Sequence, residues 1–512
     1  MGQLANIHGI GGWAFLRGTK GTPTSKARCD DFRPRESRTA DPIEYGVRHQ
    51  KLHVRFDTRR APFVRQEWPA PCAVPPRRFC EWSRIILCPL VVVFMAVSGC
   101  NPAAPSSDGF EPINETQVVF WDRQTTETAK LLEKITAEFN ASNDGMAVAI
   151  ETTGNYGEIY RKVMASIQAR RLPAMAVSYE SMTAQYAASG AVVGLDALVA
   201  DPERGISSAD LEDFFPAVLG SNYYADYDGQ LLSFPFSKSV LMLYANHRVL
   251  KEAGIDGPPK TWDEFLEQCR SIKAKTGKFA YAISVDCSTI SGMIFSMGGE
   301  LIVDGQFQYD QPAAIQAFTL LETLINEDLA YQIQARTYDD EVAFARDDVA
   351  FTTRTSAGSA NMALAMGGKN DSWSLNPIPQ SDPAHPATIL FGPNITLFTT
   401  GAAQEQVAWD FVRHFTSTPV MTEWVLATGY LPIRKSVAND GRIQAYWAAW
   451  PSNRAPYDCL ETARTEPNLL RWQEIRSSVE RAESAVLAKL KTGKEAALEL
   501  QQEAQGLLDR TK

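Results

Sequence analysis

An α/β fold is expected for most of this chain, and three observations predict it. From Thr116 onward, short apolar runs alternate with stretches whose apolar residues recur every three or four positions. Clusters of Gly, Pro, Asn and Asp separate these segments. Hydrophobic residues make up 45% of the 512-residue sequence and charged residues 21%, a balance that fits a core-forming chain.

The elements follow in order. Thr116–Trp121 reads as a strand, and Thr125–Asn140 places Ala129, Leu132, Ile135 and Phe139 at helical spacing. Met146–Glu151 alternates like a second strand. Tyr156–Arg170 carries Ile159, Val163 and Ile167 on one helical face, and Ala174–Ser178 is a short buried strand. Strands alternating with helices predict a parallel sheet covered on both faces. In open sheets of that kind ligands sit beyond the carboxyl ends of the strands. The loops holding Trp121-Asp122, Gly154-Asn155-Tyr156 and Tyr179-Glu180 are therefore the expected site.

Asp228-Gly229 has the chemistry of a tight hairpin between Tyr223–Tyr227 and Gln230–Phe234. Leu241–Tyr244 is a strand. Thr261-Trp262-Asp263-Glu264 opens the next helix as a capping box, and Phe265, Cys269 and Ile272 continue it. A strand near Ala280–Val285, helices near Ala313–Asn326 and Asp339–Arg346, and a strand at Val349–Thr352 come next. Ile389–Thr399 reads as one strand with Gly392 and Pro393 inside it. Glu405–Phe415 is helical, and two helices, about Leu469–Leu490 and Lys494–Asp509, close the chain around a stop at Thr492-Gly493.

Charge is unevenly spread. Residues 1–99 hold 16 basic and 8 acidic side chains, and the remaining residues hold 34 and 52, a net charge of −18. A surface that acidic repels nucleic acid, and an anionic ligand has to be captured by local cations against the overall field.

Between Arg77 and Cys100 stand a basic head (Arg77, Arg78, Arg84), an apolar run from Ile85 to Val97 broken only by Pro89, and Val97-Ser98-Gly99-Cys100. These are the parts of a secretory signal. The run is shorter than the ~20 apolar residues of a spanning helix. Its ending resembles a lipobox, which implies acylation of Cys100 after cleavage. The segment before it is rich in Arg, Pro and Gly and has no sustained periodicity. It is expected either to be unmade, translation starting near Val74, or to be a disordered extension. Asn101–Asn114 reads as a tether. After cleavage the cysteines are Cys100, Cys269, Cys287 and Cys459. None has CxxC spacing, and a Cys269–Cys287 disulfide or three buried thiols are both open. His247, His385 and His414 are scattered, so neither a metal nor another cofactor is expected.

Several segments resemble a known family. Phe234-Pro235-Phe236-Ser237-Lys238-Ser239 with Leu243-Tyr244-Ala245-Asn246, then Leu250–Ile255 with Pro258–Phe265, then Ala427-Thr428-Gly429-Tyr430-Leu431-Pro432-Ile433-Arg434, and the closing Leu487–Leu498 stand in the order seen in family 1 extracellular solute-binding proteins of bacterial ABC importers. The resemblance runs from about Gln117 to Asp509. It implies a two-lobed periplasmic-binding-protein fold of type II, with hinge crossings and C-terminal helices. The implied division is 1–76 as the extension, 77–99 as signal, 100–115 as tether, 116–232 plus 390–430 as one lobe, and 233–389 plus 431–512 as the other.

Within the family, the segments resemble the glycerol-3-phosphate and glycerophosphodiester binders. That resemblance implies ligand contacts at Tyr156, Glu180, Ser239, Ser356, Gly392, Tyr430 and Arg464. Lys238, where a small polar residue is common, and Phe391-Gly392-Pro393 depart from the pattern. The residue types suit the chemistry. A polyol has hydroxyls that donate and accept, and apolar C–H faces. Glu180 can accept hydroxyl protons, Tyr156 and Tyr430 offer flat faces, and Trp121 is a candidate wall or a core residue. Arg464 could grip a phosphate bidentately, with Ser356 or Ser359 completing the cradle.

Nothing favours catalysis. There is no Gly-x-Ser-x-Gly, HExxH, P-loop or glycine-rich dinucleotide motif. Asp339-Asp340-Glu341 and Asp347-Asp348 point to different sides of a helix, which predicts a solvated face. The expectation is a monomeric, lipid-anchored receptor in the cell envelope, periplasmic or on the outer face of the cytoplasmic membrane. It would carry a sugar, glycerol-3-phosphate or glycerophosphodiester to a permease. A sensor subunit for a signalling receptor and a glycan- or phosphodiester-processing enzyme are the alternatives.

Overall fold

The computed structural model describes residues 109–334, 337–369 and 371–510. The signal segment, Cys100 and most of the tether lie outside the described residues. Along the chain come β1 (Gln117–Asp122), α1 (Thr126–Ser142), β2 (Ala147–Thr152), α2 (Tyr156–Gln168), β3 (Met175–Ser178), α3 (Glu180–Ala187), β4 (Phe234–Pro235) and β5 (Ser239–Asn246). Then follow α4 (Trp262–Thr276), β6 (Phe279–Ile283), α5 (Cys287–Ser296), α6 (Pro312–Asn326), β7 (Ala330–Gln332), α7 (Asp339–Ala345), β8 (Val349–Thr355) and β9 (Trp373–Pro377). The last are β10 (Thr388–Phe391), β11 (Asn394–Leu397), α8 (Ala402–Phe415), α9 (Thr418–Thr428), β12 (Ala463–Arg464), α10 (Trp472–Leu487) and α11 (Gly493–Asp509).

These strands build two sheets, one per lobe. The first has the order β2-β1-β3-β11-β4, and the second β7-β6-β8-β5-β10-β12, with β9 also paired to β5. Strands joined by helices pair in parallel: β1 with β2 and β3, and β6 with β7 and β8. The strands that pass between lobes run antiparallel to their neighbours, as β11 does to β3 and β5 to β8 and β10. Each sheet is therefore mixed rather than purely parallel.

Periodicity explains the layers. In α2 the residues Ile159, Val163 and Ile167 are buried on one face, as their spacing dictates. Strand β5 is buried on both faces. Val240, Met242 and Tyr244 point into one hydrophobic cluster, and Leu241, Leu243 and Ala245 into the other. Helices α5, α6, α10 and α11 supply much of the second cluster. The first cluster joins the first lobe to the outer face of β5 and β9 through residues such as Ile443, Trp447 and Leu460.

Two readings need correction. Residues 389–399 are not one strand. β10 belongs to the second sheet and β11 to the first, and Gly392-Pro393 carries the chain between them. Pro393 has no N–H to continue a ladder, and Gly392 turns the chain at φ +109°. Asp339 and Asp348 are exposed as expected, but Asp340 and Glu341 of α7 are buried. Asp340 is 1% exposed, and Arg354 bonds it at 2.6 Å and Glu341 at 2.7 Å. Cys269, Cys287 and Cys459 are separate buried thiols.

Candidate ligand cleft

Three segments cross between the lobes, and they meet at Lys238. The first links β4 to β5, the second links β10 to β11, and in the third the Leu431 N–H donates to the Lys238 carbonyl at 2.8 Å. The N–H groups of Phe236 and Ser237 donate to the Pro393 carbonyl at 3.3 and 3.2 Å, tying the first two crossings together. A Cβ on Gly392 would fall 1.9 Å from the Ser237 carbonyl oxygen, so only glycine permits this approach. The Lys238 side chain is 1% exposed. Its Nζ donates to Glu180 Oε1 at 2.9 Å and to the Gly392 carbonyl at 3.1 Å. Burial would push the Glu180 carboxyl up, but the charge and hydrogen bond of Lys238 hold it below its ordinary value.

Beside this junction, the carboxyl end of β1 delivers Asp122, Arg123 and Gln124. The guanidinium of Arg123 lies over the Tyr156 ring, 4.9 Å from its centroid. Tyr156 begins α2, whose start is held by a capping box between Asn155 and Glu158. Its ring packs 4.4 Å from that of Tyr179, the residue that follows β3. Tyr430 lies within electrostatic reach of Arg123, Tyr156 and Tyr179 and stacks 6.3 Å from Trp424. Burial raises the pKa of all three phenols, so at neutral pH each keeps its proton to donate.

Unpaired polar atoms collect here. Asp122 Oδ1, Arg123 Nε, Gln124 Nε2 and both side-chain heteroatoms of Asn394 are buried without a hydrogen-bond partner. Asn394 sits beside Ser178 in the ladder, one residue before Tyr179. Buried polar groups are ordinarily satisfied, which makes this group of atoms a candidate for ligand contact; the Asn394 amide faces Glu180 and the Gln124 amide faces Tyr430. Asp122 Oδ2 accepts from the Gln124 N–H at 2.5 Å, and burial pushes the carboxyl up to about 6.

The second lobe supplies the facing wall. Arg476 on α10 is held by Glu466, by Ser288 Oγ at 2.8 Å and by Asp286 at 3.3 Å, and its guanidinium faces the Tyr179 ring at 5.8 Å. Gln473 donates across the cleft to Ser181 Oγ at 2.5 Å. Where Tyr179, Glu180, Gly392, Glu466 and Arg476 meet, the free space is about 20 Å³, and the walls are nearly in contact. A wider groove of about 700 Å³ shares Glu466 and Pro467 with it.

The expected site residues divide. Tyr156, Glu180, Gly392 and Tyr430 gather around the junction. Ser239 is buried beside it at the start of β5, paired with Phe391. Ser356 is buried, and its Oγ accepts from the Val240 N–H at 3.3 Å, which fixes the crossing strand. Trp121 does not join them: its Nε1 donates to Glu151 at 2.8 Å and Lys162 covers its ring at 3.7 Å. Arg464 lies in the wider groove, bonded to Glu300 and set over Phe295. Arg123, Gln124 and Arg476 were not anticipated. Arg123 follows a buried strand directly, which was the available signal.

Residues 134–451 match a family model described as bacterial extracellular solute-binding protein. The chain is 24% identical over 368 residues to the sn-glycerol-3-phosphate-binding periplasmic protein UgpB of Rhizobium meliloti (strain 1021), covering 68% of this chain and 82% of that one. It is 27% identical over 350 residues to UgpB of Escherichia coli (strain K12), covering 66% and 78%. Among solved structures, UgpB from Mycobacterium tuberculosis in complex with glycerophosphocholine superposes with a TM-score of 0.69 at 20% identity, covering 78% of this chain and 100% of that one. The cyclic alpha-maltosyl-1,6-maltose binding protein from Arthrobacter globiformis gives 0.66 at 20% identity, covering 78% and 100%. These structures share the two-lobed fold described above.

Proposed function

The chain belongs to the bacterial extracellular solute-binding proteins, and on that footing we propose that it captures a polyol-type solute between its lobes and hands it, chemically unchanged, to the permease of an ABC importer. The ligand is a sugar, glycerol-3-phosphate or a glycerophosphodiester, held by Asp122, Arg123, Tyr156, Tyr179, Asn394 and Tyr430 of the first lobe and by second-lobe groups around Arg476. One observation carries this reading: the unpartnered buried atoms of Asp122, Arg123, Gln124 and Asn394 collect where both lobes and the crossings meet. A carboxylate, two amides and a guanidinium are the donors and acceptors that hydroxyls and an ester oxygen require, and tyrosine rings suit C–H faces. The curated relatives named for sn-glycerol-3-phosphate support the polyol class.

Ligand shifts the lobes toward closure by as much as it prefers the closed form, and the closed form is what the permease reads. Cys100, outside the described residues, carries the lipid that holds the monomer at the outer face of the membrane. Among the described residues no helix is long and apolar enough to cross a membrane. Thermal melts of the Cys100→Ser protein against maltose, glycerol-3-phosphate and a glycerophosphodiester test the reading. A ligand at a hundred times its Kd adds about 2.7 kcal/mol and is recovered intact by NMR. No shift with any of the three, or turnover of one, overturns it.

A further inference from the structure

We infer that Lys238 and Glu180 are positioning residues that pin the hinge to the cleft wall, and that Glu180 acts through Lys238 and Tyr179 rather than by holding the solute itself. This rests on the reading above and deepens it. The place of Lys238 between the two sheets carries it. First-lobe pairing of the first two crossings ends where the Ser237 N–H donates to the Pro393 carbonyl, and second-lobe pairing begins where Ser239 stands opposite Phe391. Lys238 and Gly392 are the residues left between. A bend of one lobe against the other falls there, and a buried ammonium fills the spot, 1% exposed. Its Nζ donates to the Gly392 carbonyl at 3.1 Å and to Glu180 Oε1 at 2.9 Å, while the Lys238 carbonyl accepts from the Leu431 N–H at 2.8 Å. One residue thus touches all three crossings and the first lobe.

Glu180 carries the link onward to the cleft. It opens α3, and its neighbours on both sides meet the second lobe. The Tyr179 ring faces the Arg476 guanidinium at 5.8 Å, and Ser181 Oγ accepts from Gln473 at 2.5 Å. Whatever shifts Glu180 therefore shifts two contacts between the lobes. The carboxylate itself is engaged by the Lys238 ammonium and faced by the Asn394 amide, and its charge is matched inside the protein. A buried ion pair has a signature that a ligand contact lacks. Removing one partner leaves the other charged and unmatched, and removing both relieves that penalty. Loss of a direct ligand contact is not relieved by a second substitution elsewhere in the pair.

Calorimetry on the Cys100→Ser protein tests this, with maltose, glycerol-3-phosphate and a glycerophosphodiester as probes. The variants are Lys238→Met, Glu180→Gln and the two combined. Each single variant is expected to weaken the probe that binds by about tenfold or more, and the combined variant to bind it at least about threefold tighter than either single one. The ligand-free Tm is expected to follow the same order. A combined variant that binds no tighter than Glu180→Gln alone makes Glu180 a direct ligand contact and overturns the inference. Single variants that melt lower yet bind as their parent does assign the pair to stability alone and overturn it as well, as does a combined variant that fails to fold. In all three cases solute capture stands. Binding of none of the probes to the Cys100→Ser parent overturns capture and this inference together.

Discussion

A methyl group on Gly392 would collide with the Ser237 carbonyl, and the φ of +109° is one that L side chains avoid. Gly392→Ala should therefore lower stability by about 2 kcal/mol or more, read as a lower urea midpoint. At Asp122 burial pushes the pKa up to about 6, above the ~3.9 of an unfolded chain. The ionised form is thus disfavoured by folding, and this group's contribution to stability improves as pH falls through about 6 toward 4. Ligand hydroxyls donate to the carboxylate and favour ionisation, so affinity should hold above pH 6 and decline below it. Calorimetry at pH 5 and 8 checks this, and Asp122→Asn should remove the pH dependence while raising the ligand-free Tm at pH 8. Single residues were unevenly legible. Tyr156 and Tyr430 came from motif resemblance. Arg123 has no period, pair or motif around it, and its surroundings, the rings of Tyr156, Tyr179 and Tyr430, come together only in the fold.

Helices with local signatures were read well. The capping box of α4 has Thr261 Oγ1 accepting from the Glu264 N–H at 3.1 Å, with Glu264 reaching back to the Thr261 N–H at 3.3 Å. All its partners lie within three residues, so the sequence displays it whole. Thr261→Ala should cost about 1 kcal/mol, measured by urea unfolding. Elements defined by distant partners were not legible. Residues 389–399 carry a continuous strand-like pattern, and their division between two sheets depends on pairing with β5 on one side and β3 on the other. Asp340 and Glu341 looked solvated because their partner, Arg354, stands on the next strand rather than on the same helix.

Across the whole molecule, the segment between β12 and α10 straps the second lobe to the first. Asn468 Nδ2 donates to the Tyr223 carbonyl at 2.7 Å, and Leu470 packs beside Tyr224, Leu232 and Ala184. Asn468→Ala should shift the ligand-free population toward more open lobes, seen as a larger radius of gyration, and should weaken ligand binding without altering the pocket's own groups. Two lobes hinged at Lys238, Gly392 and Leu431 are expected to shut on a solute. Small-angle X-ray scattering of the Cys100→Ser protein, alone and saturated with whichever of maltose, glycerol-3-phosphate and a glycerophosphodiester binds, checks this. A smaller radius of gyration with ligand is the expected result. An identical radius at proven saturation would contradict capture by closure.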